Sequence, residues 1–299
     1  MSGNVSWLEV MPELELLERE PLRAHTTFRV GGPARWFLRP KDEAEAAEIL
    51  RRCHEAGIKP FFLGNGSNVL AADDGFDGVV VSTAGLDNLT LGENGAIVAG
   101  SGVSLARLAN VAAQNALTGL EFAQGIPGSV GGGTRMNAGA YGGELSGAVR
   151  WVEALAETGE KRRLSREECR FSYRHSLFCE EHLLVTAVCF GLEPGDREEI
   201  QAVMAELARR RREKQPLEYP SAGSTFKRPE GHFAAALIDQ CALKGLRIGG
   251  AQVSEKHAGF VVNVDNATAA DVLAVMDEVR RRVAAQTGVT LEPEVEILD

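Results

Sequence analysis

The 299-residue chain predicts an α+β protein, on three observations. Up to about residue 195, short apolar runs bounded by glycine and polar turn residues predominate, and only two helical patterns interrupt them. Beyond residue 195, helical and strand patterns alternate. The composition, 44% hydrophobic and 25% charged, is that of a globular chain able to bury a sizeable core.

Each element follows from its own signals. Residues 35–40 (RWFLRP) read as a strand. Residues 42–57 read as a helix that Asp42 caps, with Glu45 in the capping-box position and Gly57 ending it. Residues 59–64, 78–83 and 96–101 read as strands, and Ser104 opens a helix to about Ala116. Residues 149–165 read as a hairpin turning at Thr158-Gly159, and 182–192 as a strand. Residues 196–215 and 232–243 carry helical patterns, and 259–264 a strand. Thr268 and Gly288 bound a helix over 268–288, and 289–298 closes the chain as a strand. Strand order is not contained in these patterns.

The net charge of −10 argues against general binding to nucleic acid or an anionic membrane. The basic runs at 209–212 and 280–282 each end a helical pattern, where cations suit the helix dipole. Five cysteines, an odd number with no CxxC, argue against a disulfide framework or a zinc site and fit a reducing compartment. No metal site is expected. The N-terminus lacks a basic stretch followed by an apolar run, and no segment of about 18 apolar residues occurs. A cytoplasmic protein without a membrane span is expected.

Two glycine-rich stretches carry the chemistry. In LGNGSNVL (63–70), Gly64, Asn65, Gly66, Ser67 and Asn68 can turn successive N–H groups into one concavity that takes a phosphate; a hairpin turn accounts for them equally well. The second stretch, GIPGSVGGGTRMNAGAYGGE (125–144), holds eight of the chain's 33 glycines. Every glycine costs folding entropy, so that density argues for backbone lying close to a flat ring or a diphosphate. Two such stretches, about 60 residues apart, suggest one nucleotide cofactor held between subdomains. G-x-G-x-x-G and Walker A patterns are absent, so neither a standard Rossmann site nor a P-loop is supported.

GNGSNVL, GIPGSVGG and MNAGAYG resemble the FAD-binding segments of the UDP-N-acetylenolpyruvoylglucosamine reductase (MurB) family. HTTFRVGGPA (25–34), FSYRHS (171–176), PSAGSTFKRP (220–229), SEKHAGFVVN (254–263) and LEPEVEIL (291–298) follow in the family's order. The resemblance runs from about residue 25 to the end, and several motifs in order are far more specific than one.

It implies a two-subdomain FAD domain of the vanillyl-alcohol-oxidase (PCMH) type over 1–195, its subdomains meeting near residue 75. A smaller α/β substrate-binding domain would occupy 196–299, with strand 289–298 a candidate to return to the first subdomain. The implied cofactor ligands are Gly64, Asn65, Gly66, Ser67, Asn68, Gly125, Ile126, Gly128, Ser129, Gly131, Gly132, Arg135, Asn137, Ala138, Gly139 and Ala140. No histidine lies in either glycine segment, so FAD should be held non-covalently.

The implied activity belongs to peptidoglycan synthesis, hence to cell shape and division. Hydride from NADPH passes by way of FAD to C3 of the enolpyruvyl group of UDP-GlcNAc-enolpyruvate, giving UDP-N-acetylmuramate, and the carbanion formed at C2 must be stabilised and protonated. Arg174 matches the family's charge-stabilising arginine, Ser224 its proton donor and Glu294 its glutamate. The residues alone do not choose Ser224 over Ser221, nor Glu294 over Glu292 and Glu296, which share its strand parity. Lys214, Lys227, Arg228 and His257 are implied to meet the UDP-sugar. The only tyrosines are Tyr141, Tyr173 and Tyr219, with no insertion to carry a substrate-binding one, so the chain looks like the shorter, type II subclass. A flavin oxidase of sugars or alcohols using O₂, or a non-enzymatic nucleotide-sugar module, would not need Arg174, Ser224 and Glu294 together.

Overall fold

The computed structural model describes residues 14–299; residues 1–13, which include most of the segment read for a leader, lie outside the described residues. The chain packs as two compact units. The first holds the described part of Met1–Glu18, with Trp36–Asn65 and Gly78–Arg209; the second holds Arg19–Arg35, Gly66–Asp77 and Arg210–Asp299. Neither is continuous in sequence.

In the first unit, helix α1 (Glu43–Glu55) begins where Asp42 accepts the Glu45 N–H at 2.8 Å. Glu45 reaches back one residue further than a capping box requires, to the Lys41 N–H. Ala46, Ile49, Leu50 and Cys53 form its buried stripe against Leu38, Val79 and Val81. Each large side chain buried there contributes about 1.5–3 kcal/mol. The sheet containing Leu38 and Val79 has the order Glu15–Pro21, Pro33–Arg39, Phe76–Ser82, Phe61–Leu63, with the last two parallel. A five-stranded antiparallel sheet follows, in the order Lys161–Ser165, Val149–Leu155, Leu184–Gly191, Ala96–Gly100, Leu89–Leu91. Helix α2 (Leu105–Gln114), capped by Ser104, buries Leu105, Leu108, Ala109 and Ala112 in the core that Ile97, Val152, Val188 and Phe190 share.

Helix α3 (Val130–Arg135) was not legible in sequence, because three of its six residues are glycine, the poorest non-proline helix former. Two of those glycines stand where neighbours leave no room for a side chain. A Cβ on Gly131 would strike the Ser101 side chain, and one on Gly133 would lie 3.0 Å from Leu145 and 3.1 Å from Leu105. Ser129 caps it through the Gly132 N–H. Helix α4 (Leu177–Glu180) is a single turn.

Helix α5 (Arg197–Lys214) runs from the first unit into the second. In the second unit, helices α6 (Ala234–Gln240) and α7 (Ala269–Thr287) pack with the antiparallel strands Arg247–Ile248, Ala251–Val253 and Val261–Asn263. Phe28, Val30 and Leu70 join Val272, Val275, Met276, Val279 and Val283 of α7 in one core. The closing strand is shorter than its 289–298 pattern. Only Glu296–Leu298 pairs as a strand, parallel to Val69–Ala71, because Pro293 has no N–H and residues 292–294 turn their backbone bonds to residues 225–227.

The start of α7 shows how the discontinuous second unit is tied together. Asp73 accepts the N–H groups of Ala269 (2.7 Å) and Ala270 (3.0 Å), and Thr268 accepts that of Asp271 (3.0 Å). Three donors that a helix N-terminus leaves open are thereby satisfied. Asp271 completes the box by accepting the Thr268 N–H, and also takes that of Gly250. Those bonds hold its carboxyl below the usual 3.8. A depressed folded pKa means the stabilisation is fully present above about pH 4 and drains as pH falls through the folded value. Thr268→Ala should lower unfolding free energy by about 1 kcal/mol in urea titration. Asp271→Asn should flatten the loss of stability between pH 5 and 3, as read by thermal melts; an unchanged acid slope would remove Asp271 from that role.

Candidate active site

Within the first unit, Gly64 ends strand Phe61–Leu63, and a Cβ there would collide with Ser129 Oγ. Glycine at 64 therefore brings the first glycine-rich stretch directly against the second. Gly131 donates its N–H to Ser101 O at 2.9 Å, and Gly143 lies against the Phe122 ring. Much of the glycine density thus serves packing within the protein. Gly132, by contrast, is exposed and meets only its own cap, Ser129, at 3.5 Å.

The segment after α3 is stitched to residues 172–179. Ser176 Oγ donates to Arg135 O at 2.7 Å and Cys179 Sγ to the same oxygen at 3.2 Å. Arg135 Nε donates to Phe178 O at 3.3 Å. Asn137, buried, donates Nδ2 to Ser172 O and accepts the Ser146 N–H on Oδ1, both at 3.0 Å. Its side-chain amide is therefore engaged within the protein, as is its N–H, which donates to Thr134 O at 3.1 Å. Arg174 occupies a tight turn closed by reciprocal bonds between Ser172 and His175, with φ of 52°. A guanidinium nitrogen of Arg174 donates to Gly139 O at 3.1 Å, and the group lies 5.2 Å from the Tyr173 ring centre. The arginine thus sits on the backbone of the glycine stretch. Gly125, Ile126, Gly128, Ala138 and Ala140 lie in the same stretch, with Gly139–Ala140 paired to Gly143–Glu144.

The loop 64–68 supplies the donor set. Gly66 has φ of 58° and fits so closely to His25 O that a side chain has no place. Among the described residues, the N–H groups of Asn65, Gly66, Ser67 and Asn68 have no acceptor in the protein. Successive amides left unpaired fit the phosphates of a dinucleotide such as FAD. Asn68 has a second role: its Nδ2 donates to Glu294 O at 3.0 Å, and its carbonyl takes the Glu296 N–H at 2.9 Å.

Within the second unit, those bonds bring Asn68 to the last motif. Residues 225–227 and 292–294 form a short ribbon: Glu294 N–H to Thr225 O at 2.8 Å, Lys227 N–H to Glu292 O at 2.9 Å, and a bridge between Phe226 and Pro293. Ser224 and Glu294, 70 positions apart, are thereby brought together. Ser224 is exposed, and its hydroxyl has no partner among the described residues. Glu292 leaves the ribbon toward Lys227, 3.7 Å away, with its side chain 74% exposed. This separates Glu292 from Glu294, as strand parity did not.

Thr225 donates its N–H to Gly259 O, which adds the His257 loop to the group. His257 accepts the Gly259 N–H on Nδ1 at 3.2 Å and packs edge-on against Phe260. Burial above all pulls its pKa below 6.5, and with Nδ1 accepting the Gly259 N–H, Nε2 is left to carry a ring proton. Lys256 holds the end of α5 by donating Nζ to Arg212 O at 2.8 Å, two residues before Lys214. Arg228 lies 4.6 Å from the Phe233 ring centre. Burial pushes the Cys53 and Cys169 thiols up to about 12, so neither supplies a thiolate. Among the described residues, no group of three His, Cys, Asp or Glu converges, and no helix is long and apolar enough to cross a membrane.

The model of the UDP-N-acetylenolpyruvoylglucosamine reductase C-terminal domain matches residues 215–298, and that of an FAD binding domain matches residues 34–165. A UDP-N-acetylenolpyruvoylglucosamine reductase of Agathobacter rectalis is 46% identical over 97% of this chain and 96% of its own length. One of Staphylococcus epidermidis is 44% identical, covering 97% and 94%. The crystal structure of UDP-N-acetylenolpyruvylglucosamine reductase (MurB) from Thermus caldophilus superposes with a TM-score of 0.81 at 36% identity, over 96% of this chain and 99% of that one. Physcomitrella patens BBE-like 1, at 15% identity and a TM-score of 0.51, shares the fold over 63% of this chain.

The free amides of 65–68 yield a direct expectation. Gly66→Ala, strained at φ 58° and pressed on His25 O, should lower the flavin bound per chain, read as the ratio of visible flavin to protein absorbance. A variant that folds with full FAD would show that this loop does not hold the cofactor.

Proposed function

We infer the activity from the premise that this chain belongs to the UDP-N-acetylenolpyruvoylglucosamine reductase family. It is an FAD oxidoreductase that reduces UDP-N-acetyl-3-O-(1-carboxyvinyl)-glucosamine to UDP-N-acetylmuramate, a step of peptidoglycan synthesis. The reading is carried by identity near one half along almost the whole chain, both glycine stretches and the C-terminal motifs included. It is favoured over the sugar or alcohol oxidase, because resemblance to BBE-like 1 extends to the fold alone. NADPH is the proposed reductant and the cytoplasm the proposed location. The segment 1–195 is proposed to serve the cofactor mainly, and the segment 196–299 the substrate.

Bound FAD would supply the hydride transfer between NADPH and C3 of the enolpyruvyl group. The N–H groups of Asn65–Asn68 are proposed to hold its phosphates and the backbone of 125–140 to lie along it. Arg174 faces the negative charge that spreads from C2 onto the substrate carboxylate; Gly139 O and the Tyr173 ring fix its guanidinium before that charge appears. Ser224 gives the proton to C2. A serine hydroxyl is a weak acid, so it serves only a strongly basic carbon, and its exposure leaves it open to substrate. Glu294, whose N–H donates to Thr225 O beside Ser224, is proposed to orient or resupply that hydroxyl. Lys214, Lys227 and Arg228 are proposed to meet the diphosphate, and His257 to donate Nε2–H to a substrate oxygen.

Anaerobic stopped-flow spectroscopy separates the two half-reactions. Ser224→Ala should leave flavin reduction by NADPH at the wild-type rate and slow reoxidation by the enolpyruvyl substrate by about 10²–10⁴. Equal loss in both halves would make Ser224 structural. Flavin that stays reduced with the substrate in wild-type protein, yet reoxidises with O₂, would favour the oxidase.

A further inference from the structure

Arg174 and Asn137 are both non-glycine residues with left-handed backbone, φ 52° and φ 41°. Such conformations persist only where surrounding bonds over-determine them. The Ser172–His175 turn closes on itself, and the Asn137 amide reaches it from the glycine stretch, through Nδ2 to Ser172 O at 3.0 Å. The other end of that amide is fixed, since Oδ1 accepts the Ser146 N–H. With both ends engaged and the residue 1% exposed, Asn137 cannot rotate without leaving a buried donor unpaired. Two residues further on, Gly139 O receives the Arg174 guanidinium. Backbone and tip of Arg174 are thus both referenced to residues 137–139.

We propose that Asn137 is a positioning residue for Arg174. Its amide clamps the Ser172–His175 turn to the cofactor stretch and so sets the height of the guanidinium over that backbone, while its side chain gives nothing to the cofactor. The proposal rests on Arg174 acting on the substrate as described above. An amide is required there because one planar group must present a donor and an acceptor side by side, the donor to a carbonyl and the acceptor to an N–H. Aspartate keeps the acceptor and turns a second oxygen toward Ser172 O. Leucine supplies neither.

The test is a double-mutant cycle on the FAD-loaded protein, with Asn137→Asp and Arg174→Lys measured singly and together by anaerobic stopped flow. N137D should slow flavin reoxidation by the enolpyruvyl substrate by about 10- to 100-fold, the effect of a misplaced catalytic group. Flavin reduction by NADPH should be slowed far less, so that the ratio of reoxidation to reduction rates falls. In the R174K background, N137D should add little, because the group it positions is already lost. Asn137→Gly is the second variant: glycine adopts the left-handed backbone of this position freely and removes the amide without a buried carboxylate, so it should fold and reproduce the same selective loss. Loss of FAD or equal slowing of both halves in N137G would overturn the proposal in favour of a cofactor or general structural role. Multiplying effects in the double variant would overturn it as well, leaving Arg174 in the reaction. R174K that reoxidises at the wild-type rate would instead remove Arg174 from the chemistry, and the clamp's purpose with it.

Discussion

A backbone built from glycine has no side chains with which to hold its own shape, and this constraint governs the cofactor region. Residues 128–139 are fixed by bonds that leave the stretch. Val130 and Gly131 donate to Val103 O and Ser101 O, Gly128 O accepts from Leu105, and Leu145 donates to Ala138 O. Ser176, Cys179 and Asn137 tie the far end to residues 172–179. The entropy that glycine loses on folding is thus offset by neighbours that also deny it a side chain, as Ser101 does to Gly131 and Leu105 to Gly133. The result is a rigid surface of backbone, which a flat ring can approach more closely than any surface of side chains.

The same device recurs in the second unit with different parts. Asn68 donates to Glu294 O, Asp73 caps α7, and Asn263 donates to Phe28 O while accepting from Ala267. Each uses a short polar side chain to hold segments roughly 200 positions apart. A fold assembled from such distant pieces has many non-local pairings, so chain-closure entropy must be met before these bonds form. Placing Ser224 and Glu294 on one ribbon is a consequence: neither local sequence holds the other, and the backbone bond at Thr225 does.

What the sequence carried legibly was whatever has a local physical signature. The caps at Asp42, Ser104 and Thr268, the left-handed Gly288 after α7, and the hairpin turn at Gly159 sit within one or two residues of expectation. The motifs carried the family. What was not legible depends on partners far along the chain. Helix α3 looked like loop because propensity says nothing of Ser101 and Leu105. Strand 289–298 looked continuous because alternation does not reveal that Thr225 and Lys227 compete for its backbone. Glu292 and Glu294 have one parity, yet Glu292 is exposed, 3.7 Å from Lys227, and Glu294 is half-buried.

The asparagines show where motif reading stops. Asn65, Asn68 and Asn137 stand in glycine-rich segments with the same apparent purpose, and pattern alone makes all three ligands. Asn65 is exposed and its N–H has no partner among the described residues, whereas the Asn68 and Asn137 amides are committed to carbonyls of the protein. Burial decides between these roles, because a buried amide without partners is costly and an exposed one is not. Side chains in these loops therefore mostly shape the backbone, whose N–H groups stay unpartnered among the described residues at Asn65–Asn68 and are bonded within the protein at Val130, Gly131, Gly133 and Asn137. Substituting a committed asparagine changes geometry, while substituting a glycine such as Gly66 changes the presence of the donors themselves. The two kinds of motif residue differ in what fails when they are lost, although nothing in their sequence neighbourhood tells them apart.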